Sequence, residues 1–150
     1  MTTTRAKATF TGLTLIASLA GSTVLAAETT YPLTIDNCGH SLTFDSAPEA
    51  TVTIGQSTTE ILYLLGQQDR IKGTSVWFSS VLPEFNETNA AIDRLADNDP
   101  SFESVLAKRP DLVTVMYEWH VGPEGMVGTR DSFHRLRRKG QYGRGGWHAI

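Results

Sequence analysis

Aromatic side chains follow two predicted strands of this sequence at places where a ligand could bind. Trp77 follows the β-branched run at residues 71–76, and Tyr117 and Trp119 follow the apolar run at residues 112–116. Such runs are typical of strands covered on both faces in a parallel sheet. Ligands of open α/β sheets bind beyond the carboxyl ends of the strands. The sequence therefore predicts an aromatic rim suited to stacking on a flat or bulky ligand, with ordinary core packing as the alternative.

The sequence gives weaker evidence for a catalytic or metal-binding site than for an aromatic ligand rim. Glu118 and His120 would both face a metal in an extended segment, but no third ligand accompanies them, and a surface pair is the favoured interpretation. Tyr117 or His120 offers an axial ligand for haem iron. Ser57 and His120 with an Asp could be arranged as a triad, but the G-x-S-x-G motif, the phosphate loop and the dinucleotide fingerprint are absent. We assign no catalytic or metal-binding residue and expect no enzyme; a secreted hydrolase or metal enzyme is the least favoured alternative.

Two units precede the aromatic residues and position them. Residues 31–44 alternate apolar and polar side chains around a polar turn that contains glycine, which predicts a β-hairpin. Residues 51–54 form a predicted strand that ends at Gly55, and Gln56 leads from it into a helix. Residues 79–97 lack a clean period and are predicted to be a loop with one or two helical turns.

The first predicted helix has recognisable start and stop signals. Ser57 and Glu60 match the S-x-x-E capping box, and Gly66 suits a left-handed residue at the carboxyl end. Four aliphatic residues are expected to form its buried face: Ile61, Leu62, Leu64 and Leu65.

Residues 99–116 combine a short helix with the second aromatic-bearing strand. Asp99 is the predicted cap, with Pro100 at the first helical position. Pro110 ends the helix and favours an extended conformation for Arg109. Three apolar residues share one helical face: Phe102, Val105 and Leu106.

Strands that alternate with helices define the predicted fold class. We expect an α/β fold, a Rossmann-like lobe in which a parallel sheet with flanking helices is preceded by the β-hairpin. A last helix, capped by Thr129, would carry Phe133 and Leu136.

Residues 1–27 have the pattern of a secretory signal peptide. Arg5 and Lys7 precede an uncharged stretch of small and apolar residues, and cleavage is predicted after Ala26 or Ala27. The alternatives are a membrane anchor or a core helix.

Charge is distributed unevenly along the chain. Residues 27–131 contain six Lys or Arg and all 16 acidic residues, a net charge of −10, whereas residues 132–150 contain five basic residues and no acid. An acidic body argues against nucleic acid as a partner. Cys38 is the one cysteine, so it has no intramolecular disulfide partner, and we expect it to be buried.

Several short segments in a fixed order resemble a known family. They are NCG at 37–39, IGQ at 54–56, TTEIL at 58–62, LG at 65–66 and RPDLV at 109–113. With the signal peptide, they resemble the periplasmic substrate-binding proteins of ABC importers for iron–siderophore complexes, haem and cobalamin. The resemblance covers roughly residues 31–136 and depends on the order of the segments, since no single one is diagnostic.

The resemblance implies two α/β lobes joined by one long rigid helix, with the ligand between the lobes. Residues 28–136 would then be the amino-terminal lobe alone. The basic, Gly-rich residues 137–150 do not resemble what should follow, and their composition indicates a shifted reading frame or another truncation. The alternative is a genuine flexible tail that binds a partner.

The resemblance also implies site residues. Gln56, Trp77, Tyr117 and Trp119 match positions that bind the ligand, which would be a ferric siderophore, haem or a corrinoid. Glu103 matches a residue that docks on the ABC permease, with a solvated or helix-terminal role as the alternative. The implied function is a periplasmic receptor, without a cofactor of its own, that delivers its ligand to the permease. A non-functional fragment of such a receptor is the alternative.

Overall fold

The computed structural model of the protein describes residues 28–138 and 148–149, with side chains as far as residue 135. The predicted signal peptide lies outside the described residues, as does the segment 139–147 of the predicted tail. The division into signal peptide, lobe and tail therefore stays a prediction.

An antiparallel hairpin precedes the sheet, as predicted. It consists of β1 (Leu33–Asn37) and β2 (His40–Phe44). Leu42 is one of its buried side chains. Cys38 is exposed at the tip, with a φ of +53°, so the prediction that it is buried is wrong. The tight turn holds this residue in a left-handed conformation at the end of the hairpin, away from the apolar face.

The central sheet contains five parallel strands in the order β5-β4-β3-β6-β7. Its strands are β3 (Thr51–Ile54), β4 (Ile71–Ser75), β5 (Arg94–Ala96), β6 (Leu112–Val115) and β7 (His148–Ala149). All four residues of β3 are buried, as expected for a central parallel strand. The short β5 lies in the stretch that the sequence predicted to be a loop.

Helices flank this sheet, which confirms the predicted fold class of a parallel α/β lobe preceded by a hairpin. The helices are α1 (Gln56–Leu64), α2 (Asn86–Ala90), α3 (Phe102–Ala107) and α4 (Arg130–Arg138). Among the described residues, no helix is both long enough and apolar enough to cross a membrane.

The predicted capping box of α1 is wrong. Gly55 occupies the capping position, and no side chain caps the helix. The Glu60 carboxylate instead accepts hydrogen bonds from Gln56 Nε2 and from the backbone N–H of Leu82, each at 3.1 Å. Glu60 therefore ties the first turn of α1 to the loop after β4 and takes no part in a capping box.

The predicted buried face of α1 is also wrong for three of its four residues. Ile61, Leu64 and Leu65 are 53%, 66% and 64% exposed, whereas the buried residues are Thr59 and Tyr63. Thr59 and Tyr63 are four apart and share a face. The inner face of α1 is thus formed by Thr59 and Tyr63, with Leu62 packed beside Tyr63.

The start and end of α3 differ from the prediction. Ser101, not Asp99, caps the helix, and its Oγ accepts a hydrogen bond from the Ser104 N–H at 3.1 Å. Pro100 lies one position before that cap. Arg109 has a φ of +49° rather than an extended conformation, because the chain reverses immediately between α3 and β6.

Two predicted helix ends are confirmed. Gly66 has a φ of +67°, and its N–H donates to the Tyr63 carbonyl at 2.9 Å, so it closes α1 in a left-handed conformation. Thr129 Oγ1 accepts from the Ser132 N–H at 3.1 Å and so caps α4.

One apolar core joins β3 and β6 to the helices. Phe102 lies edge-on to Phe133, with ring centroids 4.9 Å apart, so α3 and α4 meet over the sheet. The buried members of this core are Val52, Ile54, Val76, Val105, Val113, Val121, Val127 and Phe133. Leu106 packs against it as well, which confirms the shared face predicted for α3.

Candidate functional site

Three strands end together at one edge of the sheet. We call the ends of β3, β4 and β6, with the following residues Gly55, Val76 and Met116, the carboxyl edge. The Gly55 N–H donates to Ser75 O at 2.9 Å and the Met116 N–H donates to Ile54 O at 2.8 Å, which holds the three ends in register. Residues that follow these strands are brought to the same edge.

Gly55 is required at the centre of this edge for two reasons. Its φ is +134°, a conformation that side chains disfavour. A Cβ at this position would also lie 2.4 Å from the Met116 Cβ. Glycine therefore permits the closest approach between the segments that leave β3 and β6.

Gln56 uses its side-chain amide to organise the loop after β4. Its Nε2 donates to Glu60 Oε1 and to Ser80 O, both at 3.1 Å. Its Oε1 accepts from the Ser79 N–H at 3.2 Å and from Ser79 Oγ at 3.1 Å. The predicted ligand contact of Gln56 remains a prediction, and in this structure the amide connects α1 with residues 79–80.

Trp77 is half-buried, with its indole nitrogen directed inward. Nε1 donates to Thr74 Oγ1 at 3.0 Å. The Arg94 guanidinium lies over the ring, 5.0 Å from its centroid, a cation–π arrangement. The ring also packs against a cluster built on Tyr63, Ile71 and Val81. Trp77 is therefore a fixed part of the edge, with only part of its ring exposed.

Tyr63 anchors the cluster below Trp77. Its hydroxyl donates to Asn89 Oδ1 at 2.9 Å, and its ring packs on Phe85 with centroids 5.2 Å apart. Burial raises the pKa of the Tyr63 phenol to about 12, because the phenolate would lose hydration. The cluster thus favours the neutral, hydrogen-bonded phenol.

Tyr117 and Trp119 form an exposed aromatic pair at the β6 side of the edge. They are 41% and 61% exposed, and their rings stack with centroids 4.3 Å apart and planes inclined by 30°. Trp119 lies in a 3₁₀ turn, Glu118–His120, that follows β6. The structure therefore brings these two predicted ligand residues together, while Trp77 lies on the neighbouring β4 side of the edge.

His120 supports this pair from below. It is buried, and its Nδ1 donates to the Tyr117 carbonyl at 2.9 Å, since a carbonyl only accepts. Its Nε2 lies 3.1 Å from Asp99 Oδ1, a contact that is an ion pair when the ring is protonated. The ring is also edge-on to Trp119, with centroids 5.7 Å apart. Both ring nitrogens are therefore engaged within the protein.

These contacts correct the roles considered for His120 as a metal ligand, as a haem ligand and as a triad member. The extended geometry considered for Glu118 and His120 is wrong, because both lie in the 3₁₀ turn, with Glu118 exposed and His120 buried. His120 presents no free nitrogen to a metal, to haem iron or to Ser57. No group of three or more potential metal ligands occurs in the part of the chain that the structure describes.

Glu103 lies on α3, away from the aromatic pair in sequence. It is exposed and occupies the first turn of the helix, where a carboxylate interacts favourably with the helix dipole. Its accessibility suits either docking or simple solvation, so its predicted docking role remains a prediction.

Two exposed apolar residues near the edge were not selected from the sequence. Phe78 follows Trp77, and Met126 donates its N–H to Trp119 O at 3.4 Å. An open groove of about 370 Å³ begins at Trp119 and is lined by Gly122, Pro123 and Glu124 as well. The signal for Phe78 was its place after a strand; Met126 lies in a Gly/Pro loop whose path the sequence does not specify.

Comparison with known proteins gives the family. The family model for periplasmic binding proteins matches residues 52–131, more than half of the chain. The comparison with curated proteins found no match to this chain.

Solved structures give the same fold. A periplasmic binding protein from Veillonella parvula is 25% identical, with a TM-score of 0.54, and the match covers 63% of this chain and 32% of that one. Holo-ViuP is 20% identical, with a TM-score of 0.52 over 73% of this chain and 36% of that one. An ABC-type Fe³⁺-hydroxamate transport protein from Saccharomonospora viridis is 24% identical, with a TM-score of 0.49 over 75% and 48%. This chain spans about a third of the length of the first two of these structures. It belongs to the periplasmic binding protein family.

Proposed function

We propose that this protein is the periplasmic substrate-binding component of an ABC importer. Its ligand would be a metal chelate with a flat or bulky apolar surface, first a ferric siderophore, with haem or a corrinoid as the other members of the class. The observation that carries the proposal is the exposed Tyr117–Trp119 stack, centroids 4.3 Å apart, at the carboxyl edge of a parallel sheet.

The stack suits such a ligand for physical reasons. Two large rings that stay exposed in the free protein bury apolar area when a ligand covers them, and a flat ligand gains stacking in addition. Because the rings already contact each other and rest on His120, little side-chain freedom is lost on binding. The function requires no chemical step, only binding and release.

Among iron ligands, the geometry favours one side chain. The Tyr117 side chain is exposed, whereas both nitrogens of His120 are engaged by Tyr117 O and Asp99. If haem is the ligand, we therefore expect the Tyr117 phenolate rather than the His120 imidazole to contact the iron.

Delivery to the permease would use Glu103. Its carboxylate is exposed on the first turn of α3, where it is accessible to a cationic side chain of a membrane partner. The same short segment of chain begins with Asp99, the partner of His120 below the stack. The segment that carries the proposed docking residue thus also contacts the support of the proposed ligand surface.

Calorimetric titration of the full chain tests ligand binding. The probes are a ferric trihydroxamate, a ferric tris-catecholate, haemin and cyanocobalamin. We expect one of them to saturate the wild-type protein. Trp119→Ala should weaken that binding at least tenfold, because about 1.5 kcal/mol of ring burial and stacking is lost. Leu64→Ala is the matched control, since Leu64 is equally exposed but lies on α1.

Two results would contradict the proposal. One is that none of the four probes saturates the full chain, which would favour a chain that does not bind on its own. The other is that Trp119→Ala binds the saturating probe as tightly as Leu64→Ala does.

Uptake of the same probe by the source cells tests delivery. Cells that lack the gene would be complemented with wild type, Glu103→Gln or Glu87→Gln, the last being an exposed glutamate of α2. We expect Glu103→Gln to bind the probe normally and to reduce uptake, with Glu87→Gln unchanged. Equal uptake with both variants would remove Glu103 from the docking surface.

A further inference from the structure

Three buried threonine hydroxyls connect Trp77 to the turn at Gly55. Thr74 Oγ1 lies 2.9 Å from Thr59 Oγ1, and Thr53 Oγ1 lies 2.7 Å from the same Thr59 oxygen. Thr59 Oγ1 also lies 2.9 Å from the Gly55 carbonyl oxygen. All three threonines are essentially inaccessible to water. We call Thr53, Thr59 and Thr74 the hydroxyl relay.

The direction of every hydrogen bond in the relay follows from its two ends. The Trp77 indole N–H only donates, so Thr74 accepts from it, and Thr59 is the acceptor left for the Thr74 proton. Thr53 likewise donates to Thr59. Thr59 then donates to the Gly55 carbonyl, which only accepts. This is the one arrangement in which each hydroxyl proton finds a partner among these contacts.

Such complete pairing is not general for buried hydroxyls of this sheet. The Oγ atoms of Ser75 and Thr114 are buried on β4 and β6 without a hydrogen-bond partner in the described part of the chain. The relay is therefore a specific arrangement below Trp77. It also fits the rotation of α1, in which Thr59 and Tyr63 face inward while Ile61, Leu64 and Leu65 face outward.

We infer that Thr59 and Thr74 are positioning residues of the ligand edge. They hold the Trp77 indole with Nε1 inward and its ring against Arg94, so that the β4 side of the edge is fixed before a ligand arrives. The role of Thr59 and Thr74 in ligand binding rests on the proposed function. The orientation of Trp77 itself is a property of the free protein and is tested without a ligand.

The indole N–H resonance of Trp77 reports on the relay directly. The full chain would be labelled with ¹⁵N-tryptophan, and the Trp77 signal would be assigned with Trp77→Phe. Thr59→Val removes a hydroxyl that does not touch Trp77, Thr59→Ser retains that hydroxyl, and Thr114→Val removes a buried hydroxyl that has no partner. Thr74→Val, which removes the direct acceptor, is the second variant if Thr59→Val fails to fold.

We expect Thr59→Val to shift the Trp77 resonance and to speed its exchange with solvent by about tenfold, with Thr59→Ser close to wild type and Thr114→Val unchanged. With the probe that saturates the wild type, Thr59→Val should raise Kd by up to tenfold. A folded Thr59→Val protein with a wild-type Trp77 resonance would overturn the inference. If Thr59→Val does not fold, a folded Thr74→Val protein with a wild-type Trp77 resonance would overturn it. A wild-type protein that binds no probe would overturn the proposed function and leave the resonance test standing.

Discussion

The two sides of the carboxyl edge hold their aromatic rings in opposite ways. On the β4 side, Trp77 points its nitrogen into the protein, has Arg94 over its ring and is only half exposed. On the β6 side, Tyr117 and Trp119 stack on each other and are exposed, and the buried His120 contacts both rings from below. The Trp77 ring is thus fixed by internal contacts, whereas the Tyr117 and Trp119 rings leave much of their area accessible to a ligand.

This difference suggests that the two sides of the edge have different roles in ligand binding. A ring whose nitrogen and face already have partners contributes shape, because moving it would cost those contacts. A stacked pair that is left exposed contributes area that a ligand can cover. We therefore expect the β6 side to provide most of the ligand contact and the β4 side to limit where the ligand can lie.

The largest expected effect comes from Gly55, where the two sides meet. Gly55→Ala would place a Cβ 2.4 Å from the Met116 Cβ at a φ of +134°, so the segments after β3 and β6 would have to separate. We expect a loss of about 3 kcal/mol in the free energy of unfolding, measured by urea denaturation. Gly66→Ala, also at positive φ but with open space around it, should lose only about 1 kcal/mol. Equal losses would mean that the close approach is absent.

His120 is expected to matter most on the β6 side. His120→Phe would leave the Tyr117 carbonyl and the Asp99 carboxylate without their partner, and we expect a loss of about 2 kcal/mol in the free energy of unfolding. It should also disturb the stack, visible as a change in the near-ultraviolet circular dichroism. His40→Phe, an exposed histidine of the hairpin, is the control. An unchanged stability of His120→Phe would show that the stack needs no support from below.

Tyr63 makes the β4 side sensitive to alkaline pH. The pKa of its phenol is raised from 10.0 to about 12, so the unfolded chain loses the proton first. The Tyr63 contribution to stability should be fully present below about pH 10 and should be lost as the pH rises from 10 to 12. Tyr63→Phe should remove that component and cost about 1 kcal/mol at neutral pH through the lost bond to Asn89. The same pH dependence of the free energy of unfolding in wild type and Tyr63→Phe, measured by alkaline denaturation, would contradict this role of Tyr63.

The smallest expected effect concerns the outer face of α1. Leu64→Gln should change the free energy of unfolding by less than about 0.5 kcal/mol, because Leu64 is mostly exposed. Thr59→Val, on the inner face of the same helix, should cost more than Leu64→Gln in the same urea experiment. The reverse order would mean that the aliphatic face is the buried one, as the sequence pattern suggested.

The sequence was sufficient for the hairpin, for β3, β4 and β6, and for the order of these elements. The apolar runs at β3, β4 and β6, with Gly66 and Thr129 at helix ends, obey local rules of burial and capping. The aromatic residues after β4 and β6 followed from the same strand assignments. These features depend on neighbours in the chain, so a single sequence reveals them.

The features that the sequence did not reveal depend on contacts between distant segments. The inner face of α1 carries Thr59, which contacts Thr53 and Thr74 on two strands, a set of polar contacts that no hydrophobic pattern records. Asp99 pairs with His120 across the core instead of capping α3. The strand β5 is only three residues long, too short for a periodic pattern.

The indole N–H signals of Trp119 and Trp77 during a ligand titration show directly which side of the edge the ligand contacts. The diamagnetic probes are a gallium trihydroxamate, a gallium tris-catecholate, gallium protoporphyrin and cyanocobalamin, added to the full chain labelled with ¹⁵N-tryptophan. We predict that one probe moves the Trp119 signal in a saturable manner and moves the Trp77 signal less, since the Trp77 nitrogen faces Thr74. A Trp119 signal that stays in place with all four probes, or a response at Trp77 alone, would contradict the claim that the β6 side is the ligand surface.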